Sequence, residues 1–393
     1  MTFSSAIPLE KQAPTATSRR SLSIGLPASQ WPAEQRFPLT PEGCAQLIDR
    51  GFRILMEEGA ARTINYTDAR YTRQGVTIVN RTEAWGTDIV VYPAPPSVAD
   101  VRAMRRGAML LTLFRPSDID TDALRCLLDR HIVTIALDLI CDPHGCRPFA
   151  DILAEIDGRA ALAIASSLLA DPQRGKGILL GGVTGIVPCE VVVIGSGLAA
   201  VAASRSAVGL GATVRMFDND IYSLRRTLTD LGGCIVTSSI NPHTLANALR
   251  SADVVVATPS KSRLTIGSEA VESMKKGVLC FDLTSPRGDA FPSLTPVDLS
   301  VASALDHKSR SESRICYVNA GSAVARTAAM ALSNTLLSLM GDITDCEGPQ
   351  NAIRLLPGMQ GATLTFFGKA VNKDVAARLG IRCVDISIFL TLS

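Results

Sequence analysis

Three small residues at fixed spacing follow an apolar run near the middle of the 393-residue chain. The run at residues 190–194 leads into Gly195-Ser196-Gly197-Leu198-Ala199-Ala200, a G-x-G-x-x-A pattern. In such a pattern the first glycine permits a tight turn, the second lets the backbone approach a pyrophosphate, and the third small residue lets the next helix pack on the strand. The start of that helix favours an anion. The pattern predicts a dinucleotide site formed by Gly195, Ser196, Gly197, Leu198 and Ala200.

An acidic residue stands where such a site needs one. Asp218 ends the next apolar run, 21 residues beyond Gly197. This spacing is typical of the carboxylate that binds the adenosine ribose hydroxyls, and a carboxylate there repels a 2′-phosphate. Asp218 therefore predicts NAD as the cofactor, although Arg215 lies nearby and could complicate the preference. A glycine-rich turn can also be purely structural, but the flanking strand and helix patterns favour the dinucleotide.

Predicted strands and helices alternate along most of the chain. Runs rich in Val, Ile and Leu alternate with helical stretches over residues 23–140 and again over 189–317. This alternation is typical of parallel sheets covered by helices. Two stretches rich in Ala and Leu, at 152–169 and 323–339, predict long helices that connect the two series. The chain is therefore predicted to be an α/β protein.

The composition excludes several classes of partner. Hydrophobic residues make up 47% of the chain and the formal net charge is +2, so neither nucleic acid nor an anionic membrane is favoured. The longest apolar stretch, residues 177–203, is broken by Pro188, Glu190 and several glycines, which argues against a membrane span. Residues 1–20 are polar, lack a continuous apolar segment and are expected to be a disordered leader. We expect a cytoplasmic protein.

The ten cysteines are scattered through the chain. In a long chain without a secretory signal, this distribution is typical of reduced thiols in the core. Cys141 and Cys146 flank His144 and could ligate a metal. Asp-Pro and His-Gly are also turn sequences, and a zinc site needs a fourth ligand. We therefore predict a turn here and no metal.

Several segments resemble the family of alanine dehydrogenase and the α-subunit of pyridine nucleotide transhydrogenase. The resemblance covers nearly the whole chain past residue 22, and the glycine-rich stretch before the dinucleotide motif is its most specific part. The segments are Ile24-Gly25-Leu26-Pro27, Glu34-Gln35-Arg36, Leu39-Thr40-Pro41-Glu42-Gly43, residues 57–60, residues 175–188, Tyr317-Val318-Asn319-Ala320 and Val324-Ala325-Arg326-Thr327.

This resemblance implies two Rossmann-like parallel-sheet domains separated by a cleft, with the NAD domain inserted in the substrate domain. Residues 21–150 and 323–393 would form the substrate domain, and residues 151–322 the NAD-binding domain with its leading linker helix. Members of the family interconvert L-alanine with pyruvate and ammonia, use NAD and are usually oligomeric. We therefore expect a homo-oligomer that acts on a small amino acid or 2-oxo acid.

Two family site residues are matched in this sequence. Arg36 matches the arginine that binds the substrate carboxylate, a role that suits a guanidinium. Asn319 matches the asparagine near the nicotinamide. A surface arginine in a loop is the alternative for Arg36.

The resemblance fails at the catalytic positions. The family's Lys-x-Lys-x-Pro pattern is replaced by Val91, Tyr92 and Pro93, so no ammonium is present there. Arg115 stands in place of the histidine, and an arginine cannot act as a general base at neutral pH. The family aspartate falls on Pro286, and Asp289, three residues on, could partly substitute for it. We predict Tyr92, Arg115 and Asp289 as the altered catalytic set, with Tyr92 relaying a proton beside the charge of Arg115.

Three functions remain open on the sequence alone. The first is an NAD-dependent amino-acid dehydrogenase with altered catalytic residues. The second is a catalytically degenerate NAD(H)-binding paralogue or regulatory subunit, which the missing Lys, His and Asp favour. The third is a transhydrogenase-like NAD(H) subunit, which needs no acid–base pair but does need a membrane partner. The resemblance along the whole chain favours the first.

Overall fold

A computed structural model describes residues 21–113, 118–173, 175–261, 264–301, 313–346 and 349–391. The strands lie at β1 Ser23–Leu26, β2 Arg53–Glu57, β3 Thr77–Val79, β4 Ile89–Val91, β5 Met109–Thr112, β6 Val133–Ala136, β7 Glu190–Ile194, β8 Thr213–Phe217, β9 Val236–Ser238, β10 Val254–Ala257, β11 Leu279–Asp282, β12 Pro296–Asp298, β13 Ile315–Val318, β14 Thr363–Phe366 and β15 Lys369–Ala370.

The helices lie at α1 Pro41–Asp49, α2 Asp68–Thr72, α3 Arg81–Trp85, α4 Val98–Ala103, α5 Thr121–Asp129, α6 Pro148–Ala170, α7 Leu198–Gly209, α8 Ile221–Asp230, α9 Pro242–Ser251, α10 Ser268–Ser273, α11 Ala320–Ala323, α12 Ala325–Asp345, α13 Pro349–Leu355, α14 Pro357–Ala362, α15 Lys373–Leu379 and α16 Ser387–Thr391.

Two sheets organise the molecule. The first has the order β15-β14-β6-β5-β4-β1-β2-β3 and the second the order β12-β13-β11-β10-β7-β8-β9. The second sheet is parallel throughout. In the first, only β14 and β15 at one edge run antiparallel to their neighbours. The predicted α/β architecture of two parallel-sheet domains is confirmed.

Each sheet reverses its strand order once. The predicted site residues lie in loops that follow the strands next to these reversals. The chain runs from β1 out to β3 and returns to β4 beside β1, and it runs from β7 out to β9 and returns to β10 beside β7. Ligands of open parallel sheets bind at the carboxyl ends of strands where the order reverses. The loop with Arg36 follows β1, and Gly195 follows β7. The topology therefore places the predicted substrate and dinucleotide residues at equivalent points of the two sheets.

Two long helices join the lobes. The helix α6 leads from the first sheet to the second, and α12 returns to the first, where its buried residues Ala329, Leu332 and Leu336 pack in the core under that sheet. Because β14 and β15 follow α12 and complete the first sheet, the second sheet is inserted in the first lobe. The domain boundaries at residues 150 and 322 stay a prediction, and the leader at 1–20 lies outside the described residues.

A glycine allows α6 to reach the dinucleotide lobe. A Cβ on Gly158 would lie 2.2 Å from the Ala199 carbonyl oxygen and 2.9 Å from the Ala203 nitrogen, both on α7. Such distances are shorter than real contacts, so only glycine permits this crossing. The crossing fixes the residues of α6 relative to the glycine-rich loop that begins α7.

Candidate active site between the two lobes

The glycine-rich loop turns tightly from β7 into α7. Gly195 has a φ of +105°, and a Cβ there would lie 2.2 Å from the Thr258 Oγ1. A glycine is therefore needed at this turn. Gly197 precedes α7, and no side chain caps the helix start. The first N–H groups of α7, which begins at Leu198, are thus open to an anion such as a pyrophosphate. Ala200, one turn into the helix, is fully buried against the second sheet.

Asp218 lies beside this loop at the end of β8. Its carboxylate accepts hydrogen bonds from the Ser196 hydroxyl at 2.7 Å, from the Ser260 hydroxyl at 3.2 and 3.3 Å, and from the Asp220 N–H at 3.1 Å. Only 3% of Asp218 is exposed. A buried carboxylate already bonded by two hydroxyls is well suited to accept the two hydroxyls of a ribose instead. Ser260, which no sequence motif marks, follows β10 and so reaches Asp218 from another strand.

Asn319 ends β13 and carries an unsatisfied group. Its φ is +58°, in the left-handed region that asparagine tolerates better than most residues. Its Nδ2 is buried and has no hydrogen-bond partner among the described residues. A buried donor without a partner is costly, so an acceptor from a ligand is the expected partner. The carboxamide oxygen of a nicotinamide would fit this role.

Arg36 lies in the loop after β1 and is held by its own neighbour. The Glu34 carboxylate accepts bonds from the Arg36 backbone N–H at 2.9 Å and from its Nε at 2.7 Å, and a third from its Nη2. The arginine side chain is 20% exposed and the glutamate 9% exposed. The guanidinium is therefore fixed in orientation and remains partly exposed.

Two further carboxylates surround the same guanidinium. Burial alone would lower the pKa of Arg36, but attraction by Glu34, Asp157 and Asp138 outweighs burial and holds its pKa above the usual value. Asp157 lies on α6, and Asp138 lies in a short 3₁₀ helix at Leu137–Leu139, just after β6. One arginine thus faces three acids from three different elements, which makes the site acidic as a whole.

Asp157 also contacts the turn that follows Asn319. Its carboxylate accepts a hydrogen bond from the Gly321 N–H, and a Cβ on Gly321 would lie 1.9 Å from its Oδ1. Burial raises the pKa of Asp157 to about 6, against the lowering effect of Arg36 and the Gly321 N–H, while Glu34 adds repulsion. The sequence analysis missed Asp157 because nothing in its helical surroundings marks it. Asp157 is thus within electrostatic range of the predicted substrate arginine and in contact with the turn that follows the predicted nicotinamide residue.

Open space adjoins this cluster. A cavity of about 380 Å³ lies between the lobes. The first lobe lines it with Gln35 and Thr63, the second with Ser300, and the segment that returns to the first lobe with Ser322 and Arg326. The Ser322 hydroxyl donates to the Ala33 carbonyl at 3.3 Å, which connects α11 to the loop of Arg36. The volume is sufficient for a small organic acid.

Tyr92 is buried in the first lobe. Its ring contacts Trp85 with 4.9 Å between the centroids, and only 1% of the residue is exposed. Its hydroxyl accepts a hydrogen bond from the Gln30 N–H at 3.2 Å and another from Arg81. Tyr92 therefore supports the loop that carries Arg36, and its predicted part in proton transfer stays a prediction.

The other predicted catalytic residues lie in an exposed loop or outside the described residues. Arg115 falls outside the described residues. Val91 and Pro93, at the family's lysine positions, are both buried, while Pro286 and Asp289 are exposed in the loop after β11. The roles of Arg115 and Asp289 stay predictions.

The Cys141–Cys146 segment is a turn around one carboxylate. Asp142 Oδ1 accepts the N–H groups of His144 and Cys146, both at 2.8 Å, and the Asp142 N–H donates to the Cys146 carbonyl at 2.8 Å. Both thiols are free.

Among the residues that the structure describes, no helix combines the length and apolar character needed to cross a membrane.

Comparisons with known proteins agree with the fold. Residues 25–156 match the model for the alanine dehydrogenase/PNT N-terminal domain, and residues 161–373 match the model for its C-terminal domain. The chain is 29% identical to an alanine dehydrogenase of Mycobacterium tuberculosis over 368 residues, which covers 92% of this chain and 97% of that protein. It is also 29% identical to the alanine dehydrogenase of Mycolicibacterium smegmatis over 375 residues, which covers 93% of this chain and 99% of that protein.

Solved structures of similar fold include the same kind of protein. An L-alanine dehydrogenase superposes with a TM-score of 0.80 at 23% identity, covering 91% of this chain and 99% of its own. A transhydrogenase from Sinorhizobium meliloti superposes with a TM-score of 0.71 at 19% identity, covering 89% of this chain and 99% of its own. At these identities the structures establish the shared fold.

Proposed function

The chain belongs to the alanine dehydrogenase/PNT family, and from this premise we propose that it is an NAD-dependent dehydrogenase that interconverts a small amino acid and its 2-oxo acid. Alanine and pyruvate are the first pair to test. The alanine dehydrogenases among its relatives match it over almost their whole length.

One observation carries the proposal. Asp157 accepts the Gly321 N–H, two residues past Asn319, and is attracted by Arg36 from the other side. The residue predicted to bind a carboxylate and the residue predicted to bind a nicotinamide therefore belong to a single cluster. A 2-oxo acid held by Arg36 would lie beside the reactive end of the cofactor, as hydride transfer requires.

The residues present fit an NAD molecule. The N–H groups at the start of α7 would hold the pyrophosphate, Asp218 the adenosine ribose, and the unpartnered Asn319 Nδ2 the carboxamide. When bound, NAD supplies the acceptor for the hydride from the substrate Cα. The preference for NAD over NADP is supported by the charge of Asp218, which is 3% exposed and would repel a phosphate.

The protein's own groups orient the substrate. Arg36 would bind the substrate carboxylate with two parallel hydrogen bonds, donated by guanidinium N–H groups other than those that Glu34 accepts. The pre-formed pair keeps the guanidinium in one orientation before substrate arrives, which lowers the entropic cost of binding. Tyr92, Arg115 and Asp289 are kept as proposed participants in the altered catalytic set.

The proposal is tested by mixing purified protein with NADH, ammonium and a panel of 2-oxo acids. NADH binding is followed by fluorescence and turnover by loss of absorbance in the same samples. We expect binding together with turnover of pyruvate or another small 2-oxo acid. Binding without turnover of any 2-oxo acid would reject the dehydrogenase and leave an NAD(H)-binding paralogue, and hydride exchange between two dinucleotides alone would favour a transhydrogenase-like subunit.

We also propose a cytoplasmic homo-oligomer. All ten cysteines are free, which suits a reducing compartment. The segment between α6 and β7 forms a tight turn with a bridge between Val183 and Ile186, and it exposes apolar side chains, including 87% of Val187. Contiguous exposed apolar residues are typical of subunit interfaces.

This assembly is tested by light scattering after size-exclusion chromatography. Replacing both Ile186 and Val187 with serine should lower the measured mass, because the interface would lose its apolar contacts. Val236→Ser, which changes a residue 59% exposed on β9, is the control and should leave the mass unchanged. A wild-type protein with the mass of one 41.6 kDa chain would reject the proposal.

A further inference from the structure

The cluster around Arg36 contains an acid that the predicted catalytic set does not use. Asp157 is half-buried on α6, and its carboxylate is one of the three that act on the Arg36 guanidinium. The Glu34 carboxylate accepts three hydrogen bonds from Arg36 and is committed to it. Asp157, in contrast, interacts with Arg36 through its charge and has its hydrogen bond from the Gly321 N–H. Its carboxylate is therefore better placed than that of Glu34 to exchange a proton.

An α-amino acid carries a positive ammonium group and a negative carboxylate group on the same carbon. If Arg36 binds the carboxylate, the ammonium must lie a few ångströms away, next to whatever group adjoins the guanidinium. Asp157 is the acid that both faces Arg36 and contacts the turn after Asn319. An arginine with such an acid beside it matches the zwitterion of an amino acid.

We propose that Asp157 is the acid–base residue for the substrate amine, an inference that rests on the proposed function. In the direction of amino-acid oxidation, the N–H bond of the ammonium breaks and an O–H bond forms on the Asp157 carboxylate. The electron pair of the broken bond stays on nitrogen, which becomes a neutral amine. In the reverse direction Asp157 returns the proton to nitrogen. This residue would do the proton transfer for which positions 91, 93 and 115 offer no base.

The surroundings of Asp157 suit a group that changes charge near neutrality. Burial raises its pKa to about 6, and the groups acting on the carboxylate are Glu34, which repels it, and Arg36 and the Gly321 N–H, which stabilise it. Asp138 faces the same guanidinium from the first sheet. On the side of α7, the neighbours of α6 at the crossing are backbone atoms next to Gly158. An anion that binds to Arg36 would remove part of the attraction and push the pKa of Asp157 higher.

This gives a test that does not depend on turnover. The binding of pyruvate to the NADH-loaded protein is measured by calorimetry at pH 7 in buffers of different ionisation enthalpy. The wild type should take up as much as about one proton per pyruvate bound, because Asp157 becomes protonated. Asp157→Asn should take up none, and Asp157→Glu should restore the uptake.

Glu155→Gln is the matched control, since Glu155 is exposed on the same helix and pairs with Arg159. It should behave as the wild type. Melting temperatures identify any variant that fails to fold. In steady state, kcat/KM for the amino acid should fall below about pH 6 in the wild type, and this acidic limb should disappear in Asp157→Asn.

The outcomes separate the two proposals. Proton uptake that is equal in the wild type and Asp157→Asn, or turnover by Asp157→Asn with the same acidic limb, would overturn the role of Asp157 and leave the dehydrogenase intact. A wild type that binds NADH but no 2-oxo acid would overturn the proposed function and the role of Asp157 with it.

Discussion

At the scale of single residues, ligand binding should depend on individual charged side chains. The hydrogen bonds from a bound ribose to the Asp218 carboxylate should contribute about 1.5–3 kcal/mol to the free energy of binding. Asp218→Ala should therefore weaken NADH binding roughly tenfold to a hundredfold and narrow the difference between NADH and NADPH. Fluorescence titration with both nucleotides measures this.

Glu190→Gln serves as the control, because Glu190 lies at the opposite end of the same sheet, at the start of β7. It should leave both affinities unchanged. If Asp218→Ala bound NADH as tightly as the wild type, Asp218 would not be the ribose-binding group.

Replacing Arg36 should weaken the binding of substrate without changing the affinity for the dinucleotide. Arg36→Lys keeps the charge but loses the planar fork that matches a carboxylate. We expect KM for the 2-oxo acid to rise roughly tenfold to a hundredfold while the affinity for NADH stays the same. An unchanged KM would mean that Arg36 serves only to pair with Glu34.

Asp157 should make stability depend on pH. Its pKa is raised from 3.8 to about 6. Between these two pH values, the carboxyl is therefore mostly protonated in the folded state and mostly ionised in the unfolded state. Stability from this group is present at low pH and is lost as pH rises toward 6. Asp157→Asn, which carries no charge, should be more stable than the wild type at pH 8 by about 1–2 kcal/mol, a value reduced for the partial exposure of the side chain.

Chemical denaturation at several pH values measures this difference. The gain of Asp157→Asn should shrink as pH falls toward 4, where the wild-type carboxyl is protonated too. A variant less stable than the wild type at pH 8 would show that the charge of Asp157 stabilises the fold through Arg36.

At the scale of elements, the site depends on two helices that cross closely. Gly158→Ala would place a Cβ 2.2 Å from the Ala199 carbonyl oxygen. We expect a loss of about 1–3 kcal/mol from this overpacking, more than the gain of about 0.5–1 kcal/mol in helix propensity. Thermal melting measures it. Gly209→Ala, at the end of α7 and with nothing within 4 Å of its Cβ, should not destabilise the protein.

The elements themselves could be predicted from sequence because their signals are local. The apolar runs, the glycine at a turn with φ of +105° and the aspartate after β8 all lie within one strand–helix–strand unit. The cluster around Arg36 could not be predicted in this way. Asp157 is far from Arg36 in sequence, and its role depends on how α6 crosses between the lobes, which periodicity does not encode. Likewise, Ser260 reaches Asp218 from a strand on the other side of β7.

At the scale of the whole molecule, the two lobes face a cavity between them and are joined by two long helices. The inserted second sheet carries the predicted dinucleotide residues, the loop after β1 of the first sheet carries Arg36, and α6 carries Asp157. This arrangement keeps the cofactor site close to the family pattern while the acid–base group lies on the connecting helix. It explains how a chain without the family's lysine and histidine can still be a dehydrogenase.

The most direct test of this account follows the hydride itself. Protein is incubated with NAD and L-alanine carrying deuterium at Cα, and the reduced dinucleotide is analysed by mass spectrometry. The account predicts deuterium on the nicotinamide, with the yield strongly reduced in Arg36→Lys. If neither alanine nor any other Cα-deuterated amino acid delivered deuterium to a dinucleotide that the protein demonstrably binds, the central claim would be contradicted.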